Sequence, residues 1–263
     1  MSEATHPILC ERTGAVGVLT INRPKTLNAL DIPTLLALES ALGELERDAG
    51  VRAIVITGAG DKAFVAGGDI ADLDSRQGLA HYQEFAEVIH RVFRRFELCD
   101  KPTVGAINGW ALGGGTELLL TLDIRLVAQE AKLGLPEINL GLFPGAGGSQ
   151  RLIRQVPLCR AKELMFTGGQ ITAAEAVDLG LCNRAVPREQ LMGEAMALAQ
   201  QIAQKSPLTL KLLKRTLRDG AEMPLSAALA HEQAMIGLVL DSRDAHEGCG
   251  AFLAKRAAQF SGK

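Results

Sequence analysis

The chain is short of aromatic side chains: one Trp, one Tyr and eight Phe, 4% of 263 residues. So few rings leave little surface for base stacking. Its net charge of −2 comes without a dense Lys/Arg stripe, so nucleic acid is not an expected partner. Cysteine is sparse and scattered at Cys10, Cys99, Cys159, Cys182 and Cys249, with no CxxC pair. That spacing excludes a dithiol motif or a cysteine-paired zinc site and fits free thiols in a reducing cytoplasm. The histidines, His6, His81, His90, His231 and His246, form no HExxH or other ligand pair, so no metal is expected. No apolar run approaches a membrane span; Leu118-Leu119-Leu120-Thr121-Leu122 is typical of the longest. Met1 to Pro7 lacks an apolar signal core and an Arg-rich presequence, and a cytoplasmic location is expected. Neither GxxxxGK[ST] nor GxSxG occurs; Gly147-Gly148-Ser149 has the residues of the latter in the wrong order.

What remains is an ordinary globular mix, 47% hydrophobic and 22% charged, long enough for one large domain or a domain with an appendage. Alternating and continuous apolar runs predict strands at Ile8 to Cys10, Val16–Ile21, Arg52–Thr57, Thr103–Ile107 and Ile124–Val127, with a turn at Gly14. Helical spacing predicts a helix from near Asp31, burying Leu35, Leu38, Leu42 and Leu45. A second spans about Leu79 to Phe96, with Phe85, Val88, Ile89, Val92 and Phe96 inward. A third opens at Gly113 to Gly115 and runs through Leu122. Strand and helix alternate, which is α/β architecture. After Ser206 the pattern becomes a helix-rich tail to about Phe260. The expected division is therefore residues 1–205 as the core and 206–263 as a helical region.

Three segments carry the chemistry: Ala63–Ile70, Asn108–Glu117, and Leu135-Pro136-Glu137. Three glycines at a helix start cost about 1 kcal/mol each against Ala if helical. Close helix–strand packing is one reason to keep them; a bare N–H aimed at a ligand, with the helix dipole behind it, is another. Such a donor suits an oxyanion, and Gly67-Gly68 is the other loop without bulk. Glu117 and Glu137 taken singly read as ordinary helix-start carboxylates. Together in a glycine-walled cleft they suit proton transfer. Gly58-Ala59-Gly60 fits a loose dinucleotide fingerprint, but Gly67-Gly68 should break the helix that fingerprint needs, so NAD is the weaker reading.

These residues resemble the crotonase (enoyl-CoA hydratase/isomerase) family. The resemblance begins at Asn22-Arg23-Pro24-Lys25-Thr26-Leu27-Asn28-Ala29-Leu30 and continues through the three segments above. It extends over Pro136–Gly148 with Gln150-Arg151-Leu152 and ends in Glu247-Gly248 and Ala251–Arg256. It implies a spiral of repeated ββα units, then a C-terminal helical region that builds a homotrimer or a hexamer of two trimers. It implies an enoyl-CoA hydratase that adds water to trans-2-enoyl-CoA, giving (3S)-3-hydroxyacyl-CoA in fatty-acid or aromatic-acid degradation. Gly68 and Gly114 match the oxyanion-hole donors, Glu117 and Glu137 the two glutamates, and Gly145 the glycine that seats the water. Glu117 is expected to deprotonate the water and Glu137 to deliver the α-proton. Lys25, Ala66, Gly68, Asp69 and Ile70 are implied in CoA binding, with Phe252 and Lys255 reaching a neighbour's CoA. Ala71 departs from relatives that carry Lys there. No cofactor is implied, since coenzyme A belongs to the substrate. A Δ3,Δ2-enoyl-CoA isomerase is the alternative within catalysis, and an RNA-binding protein of this fold the alternative outside it. Spacing does not locate the acyl-pocket walls; the Leu79–Phe96 region is the candidate.

Overall fold

The computed structural model describes residues 6–263, so the targeting-segment reading of Met1 to Thr5 lies outside the described residues. β1 (Ile8–Thr13) and β2 (Val16–Ile21) form an antiparallel hairpin, turned by Gly14 at φ +61°. α1 (Ile32–Arg47) starts where expected: Asp31 accepts the Thr34 N–H at 2.8 Å, and Leu35, Leu38, Leu42 and Leu45 are buried. β3 (Ala53–Gly58) is buried along its whole length, as its continuous apolar run requires. Then come β4 (Ala63–Val65) and α2 (Ile70–Asp74).

The expected Leu79–Phe96 helix differs in two ways. Its first turns, His81–Ala86, are π-wound, and α3 (Glu87–Leu98) continues past Phe96. Ile89, Val92, Phe93 and Phe96 are buried, while Phe85 and Val88 are only half-buried. β5 (Thr103–Ile107), β6 (Trp110–Leu112) and α4 (Gly114–Leu119) follow. α4 stops short of the expected Leu122, because the chain turns at once into β7 (Ile124–Ala128). β8 (Lys132–Gly134) leads to a 3-10 turn at Pro136–Leu140, α5 (Gly148–Gln155) and α6 (Leu158–Thr167). β9 (Gln170–Thr172), α7 (Ala173–Asp178), β10 (Arg184–Val186) and α8 (Arg188–Ala203) complete the core.

Two sheets result. The larger runs β1-β2-β3-β5-β7-β10, parallel except at the β1 edge; the smaller runs β4-β6-β8-β9, antiparallel only between β8 and β9. From β3 to β4, β5 to β6 and β7 to β8 the chain leaves the large sheet for the small one and returns through helices. This is the spiral of ββα units. Each turn of the spiral places a loop near the small sheet, and those loops carry the glycines.

The tail consists of α9 (Pro207–Gly220), α10 (Leu225–Leu240) and α11 (Arg243–Leu253). It is helical to Leu253 rather than to Phe260. The last residues instead fold back, with Ser261 and Gly262 N–H groups donating to the buried Asp244 carboxylate at 2.7 and 2.9 Å. α9 is held to the core by charge: Lys214 meets Asp123 at 2.6 Å, while Lys211 and Arg215 share Asp100. Beneath it lies an apolar cavity of about 550 Å³ walled by Leu120, Leu122, Ile124, Ile202, Leu210 and Leu213, among others. That cavity involves neither Glu117 and Glu137 nor the glycines of the oxyanion loops.

Candidate active site

The first glycine loop is clamped by the segment after β2. Leu30 donates to Gly67 O and accepts from Asp69 N, both at 2.9 Å, bracketing Gly68. In that parallel bridge the intervening Gly68 N–H faces away from Leu30, and it donates to no described backbone group. Gly67, at φ +98°, supplies the bend. Two buried asparagines fix the approach. Asn28 donates to Ala59 O and Ala63 O at 2.9 and 2.8 Å; Asn108 donates to Gly60 O at 2.9 Å and accepts from Gly58 N at 3.1 Å. The Arg23 guanidinium bridges Asp31 and Asp69 at 2.8 and 3.2 Å. The Asp69 carboxylate also caps α2, so its side chain is committed to the fold.

The three glycines of the second loop do three different things. Gly113 takes φ +52°, and a Cβ on it would stand 3.0 Å from Glu137 Oε1. Gly114 is the first residue of α4, so its N–H has no intrahelical partner. Gly115 lets α4 press on β4, since a Cβ there would collide with Val65 O. A Cβ on Gly114 would lie 3.6 Å from Gly68 N, so the two candidate donors border one space. The packing reading therefore holds at Gly115, while Gly114 keeps an N–H without an intrahelical partner.

Glu117, one turn into α4, is buried to 3% exposure. Its Oε1 accepts the Ala146 and Gly148 N–H groups at 2.7 and 2.8 Å, while Oε2 has no partner among the described residues. Burial pushes the carboxyl up to about 7, and the Glu137 charge adds to that; the two N–H donors and Arg151 oppose it. Glu137 sits in the Pro136–Leu140 turn. Both of its oxygens are buried without a partner among the described residues, and burial raises its pKa. A carboxyl so placed favours its neutral form. One anchored carboxyl and one unpartnered carboxyl thus stand beside the glycine loops.

The Glu117 shift has a cost in stability. Its folded pKa lies above the ordinary 4.5, so the native state binds more protons between 4.5 and about 7. Stability contributed by this group is therefore intact below 4.5, is lost as pH rises through that window, and stays lost above about 7. The loss amounts to roughly 3 kcal/mol. Glu117→Gln is expected to melt above the wild type at pH 8 and to match it near pH 4. A melting difference that does not grow with pH would contradict this.

The remaining sequence-derived positions are less drawn together. Ala66 donates to Leu27 O at 3.1 Å beside the first loop, and Ile70 is exposed at the start of α2. Leu73 and Phe85 stand over this loop, 3.4 and 3.6 Å from where a Gly68 Cβ would be. Lys25 is exposed in the Pro24–Thr26 turn, on a cavity of about 320 Å³ shared with Pro7, Asn22 and Thr26. Gly145 is exposed beside Ala146, and its N–H donates to no described group. Phe252 is 83% exposed, so it is not packed on the glycine loops of its own chain, and Lys255 is exposed as well. Ala71 is exposed at the start of α2. The fingerprint glycines of Gly58-Ala59-Gly60 lead into β4 rather than into a helix, which removes the geometry a dinucleotide needs. Sequence reasoning missed Asn28, Asn108, Arg151 and Glu97, whose roles are contacts across the fold. The first three lay inside motifs that could have flagged them; Glu97 carried no signal of its own.

Comparison with known proteins follows the same line. The family described as Enoyl-CoA hydratase/isomerase matches residues 11–263. A short-chain-enoyl-CoA hydratase of Clostridium acetobutylicum is 41% identical over 249 residues, 95% of each chain. A crotonyl-CoA hydratase of Syntrophomonas wolfei is 41% identical over 260 residues, 99% of this chain and 100% of the other. The crystal structure of an enoyl-CoA hydratase from Bacillus anthracis superimposes with a TM-score of 0.94 at 36% identity, over 98% of this chain and 100% of that one.

Proposed function

The chain belongs to the enoyl-CoA hydratase/isomerase family, and from that premise we propose how its own residues hydrate a trans-2-enoyl-CoA ester. The protein is an enoyl-CoA hydratase. The observation that carries the mechanism is the unequal pair of buried carboxyls, one anchored by two N–H groups and one with no partner among the described residues.

The Gly68 and Gly114 N–H groups hold the thioester oxygen. They withdraw electron density from the conjugated double bond, so its β-carbon becomes electrophilic. Glu117 keeps Oε1 on the protein and presents Oε2 to water, with the Gly145 N–H helping to seat it. As the water oxygen bonds to the β-carbon, Glu117 takes its proton. The π electrons move toward the thioester, where negative charge builds on the oxygen already held by the two donors. Glu137 then gives its proton to the α-carbon, and the product is the (3S)-3-hydroxyacyl-CoA. Every step is supplied by water, two amides and two carboxyls; coenzyme A is part of the substrate. Isomerisation of a 3-enoyl ester needs one carboxyl only, so the anchored second one favours hydration.

The relatives' names favour a short acyl chain, and Leu73 with Phe85 supplies an apolar wall for it. Lys25, Ala66, Ile70 and the Asp69 backbone line the CoA side of this reading. The test is crotonyl-CoA, followed by loss of the 2-enoyl absorbance, with 3-butenoyl-CoA and an RNA titration in parallel. Hydration should fall as pH drops through about 7, where Glu117 gains a proton. Conversion of the 3-enoyl ester without consumption of the 2-enoyl ester would replace hydratase by isomerase. Tight RNA binding at physiological salt without hydration would replace both.

Residues 1–205 carry the active site in this reading, and 206–263 build a homotrimer or a dimer of trimers. α10 supports the oligomer: no residue in it is buried, although Leu225, Leu229, Ile236 and Leu240 are among its exposed side chains. Phe252 and Lys255 then reach a neighbour's CoA rather than their own. Light scattering should give three or six times the 27.9 kDa chain mass, and a monomer at micromolar concentration would remove this part. No described helix is long and apolar enough to cross a membrane. The unpaired cysteines suit the cytoplasm, which cell fractionation checks.

A further inference from the structure

The catalytic loop is gripped from behind by an ion pair that the mechanism above does not use. Arg151, on α5, meets Glu97, near the end of α3, through two hydrogen bonds: Nε to Oε1 at 3.1 Å and Nη2 to Oε2 at 3.0 Å. Its remaining nitrogen, Nη1, donates to Ala146 O at 3.1 Å. Ala146 is therefore held at both ends, its C=O by Arg151 and its N–H by Glu117 at 2.7 Å. Gly147 turns the chain at φ +101° around the guanidinium, and a Cβ there would collide with Nη1. The arrangement is a continuous path from the end of α3 to the proposed base.

We propose that Arg151, fixed by Glu97, is a positioning residue: it holds the Ala146–Gly148 turn against Glu117, so that one carboxylate oxygen stays on the protein and the other faces water. This rests on the reading of Glu117 as the base. A guanidinium suits the task because its planar fork serves a carboxylate on one edge and a carbonyl on another. Its charge also opposes the burial of Glu117. The other charged groups are placed differently. Glu137 acts on Glu117 with the opposite sign, and Arg154, the other arginine of α5, pairs outward with Glu222. Burial raises the Glu97 carboxyl, but Arg151 outweighs it with help from Arg94 and Arg218, so Glu97 stays ionised.

The experiment uses the full-length protein and crotonyl-CoA, with pH–rate profiles of Arg151→Gln, Arg151→Lys and Glu97→Gln, and Arg151→Gln combined with Glu117→Gln. Arg151→Gln should lower kcat about 10- to 100-fold with KM little changed. It should move the acidic limb upward, because a positive charge near Glu117 is gone. Arg151→Lys keeps the charge; it should leave the limb in place and restore part of kcat. In the Glu117→Gln background, Arg151→Gln should cost little more, since its route of action is already cut. Unchanged kcat and limb in a folded Arg151→Gln protein, or a full additional loss on top of Glu117→Gln, would overturn the proposal. If Arg151→Gln does not fold, Glu97→Gln carries the same decision through kcat, against KM, and through its additivity with Glu117→Gln. A wild type inactive on crotonyl-CoA is a different result, which removes the assigned function rather than this residue.

Discussion

Glu117→Gln and Glu137→Gln are each expected to lower kcat by about 10²- to 10⁴-fold while leaving acyl-CoA affinity within a few-fold of the wild type. The reasoning differs at the two sites. In Glu117→Gln the side-chain amide can still place an oxygen on the Ala146 and Gly148 N–H groups, so the loop keeps its shape. That amide cannot take a proton from water, and the step is lost. In Glu137→Gln the new side chain resembles the neutral acid that burial already favours, but it has no proton to give to the α-carbon. Neither change touches Gly68 and Gly114, the proposed donors to the thioester oxygen. Steady-state rates on crotonyl-CoA and calorimetric binding of a saturated acyl-CoA separate the two parameters. Lost binding with normal turnover would mean that the carboxyls grip the ligand and do not move protons.

Gly114→Pro is the second large effect. Proline is accepted at the first position of a helix, where the missing N–H has no intrahelical use. Gly114 does not take a positive φ, and a Cβ there meets Gly67 C and Gly68 N at 3.6 Å, ordinary contact distance. The chain should therefore fold, with a melting temperature near that of the wild type. What disappears is one of the two amides proposed to face the developing oxyanion, worth about 2.7–4 kcal/mol of transition-state stabilisation, or about 10²- to 10³-fold in kcat. Gly115 gives no such test, because a side chain there collides with Val65 O and damages the fold itself. Full turnover in a folded Gly114→Pro protein would mean that the oxygen is held elsewhere.

Both predictions depend on residues that could be picked out before any coordinates. Local rules reach that far because α1, β3, β5 and the glycine-led α4 announce themselves within a few residues, by apolar period, by Asp31 as a cap, and by glycines where side chains are forbidden. The family's motifs pointed at Glu117, Glu137, Gly68 and Gly114 for the same reason: each sits in a short stretch that must be intact to work. Strands of three residues such as β4, β6 and β8 are too brief to show a period, so the smaller sheet was invisible. The π-wound start of the second long helix was equally silent. Only the tertiary structure brought the Ala146–Gly148 turn onto Glu117, left Glu137 without a partner among the described residues, and closed Arg151 on Glu97. Burial and hydrogen bonding between segments dozens of residues apart are properties of the folded chain. They, rather than the presence of two glutamates, decide which carboxyl is anchored and which is left without a partner among the described residues.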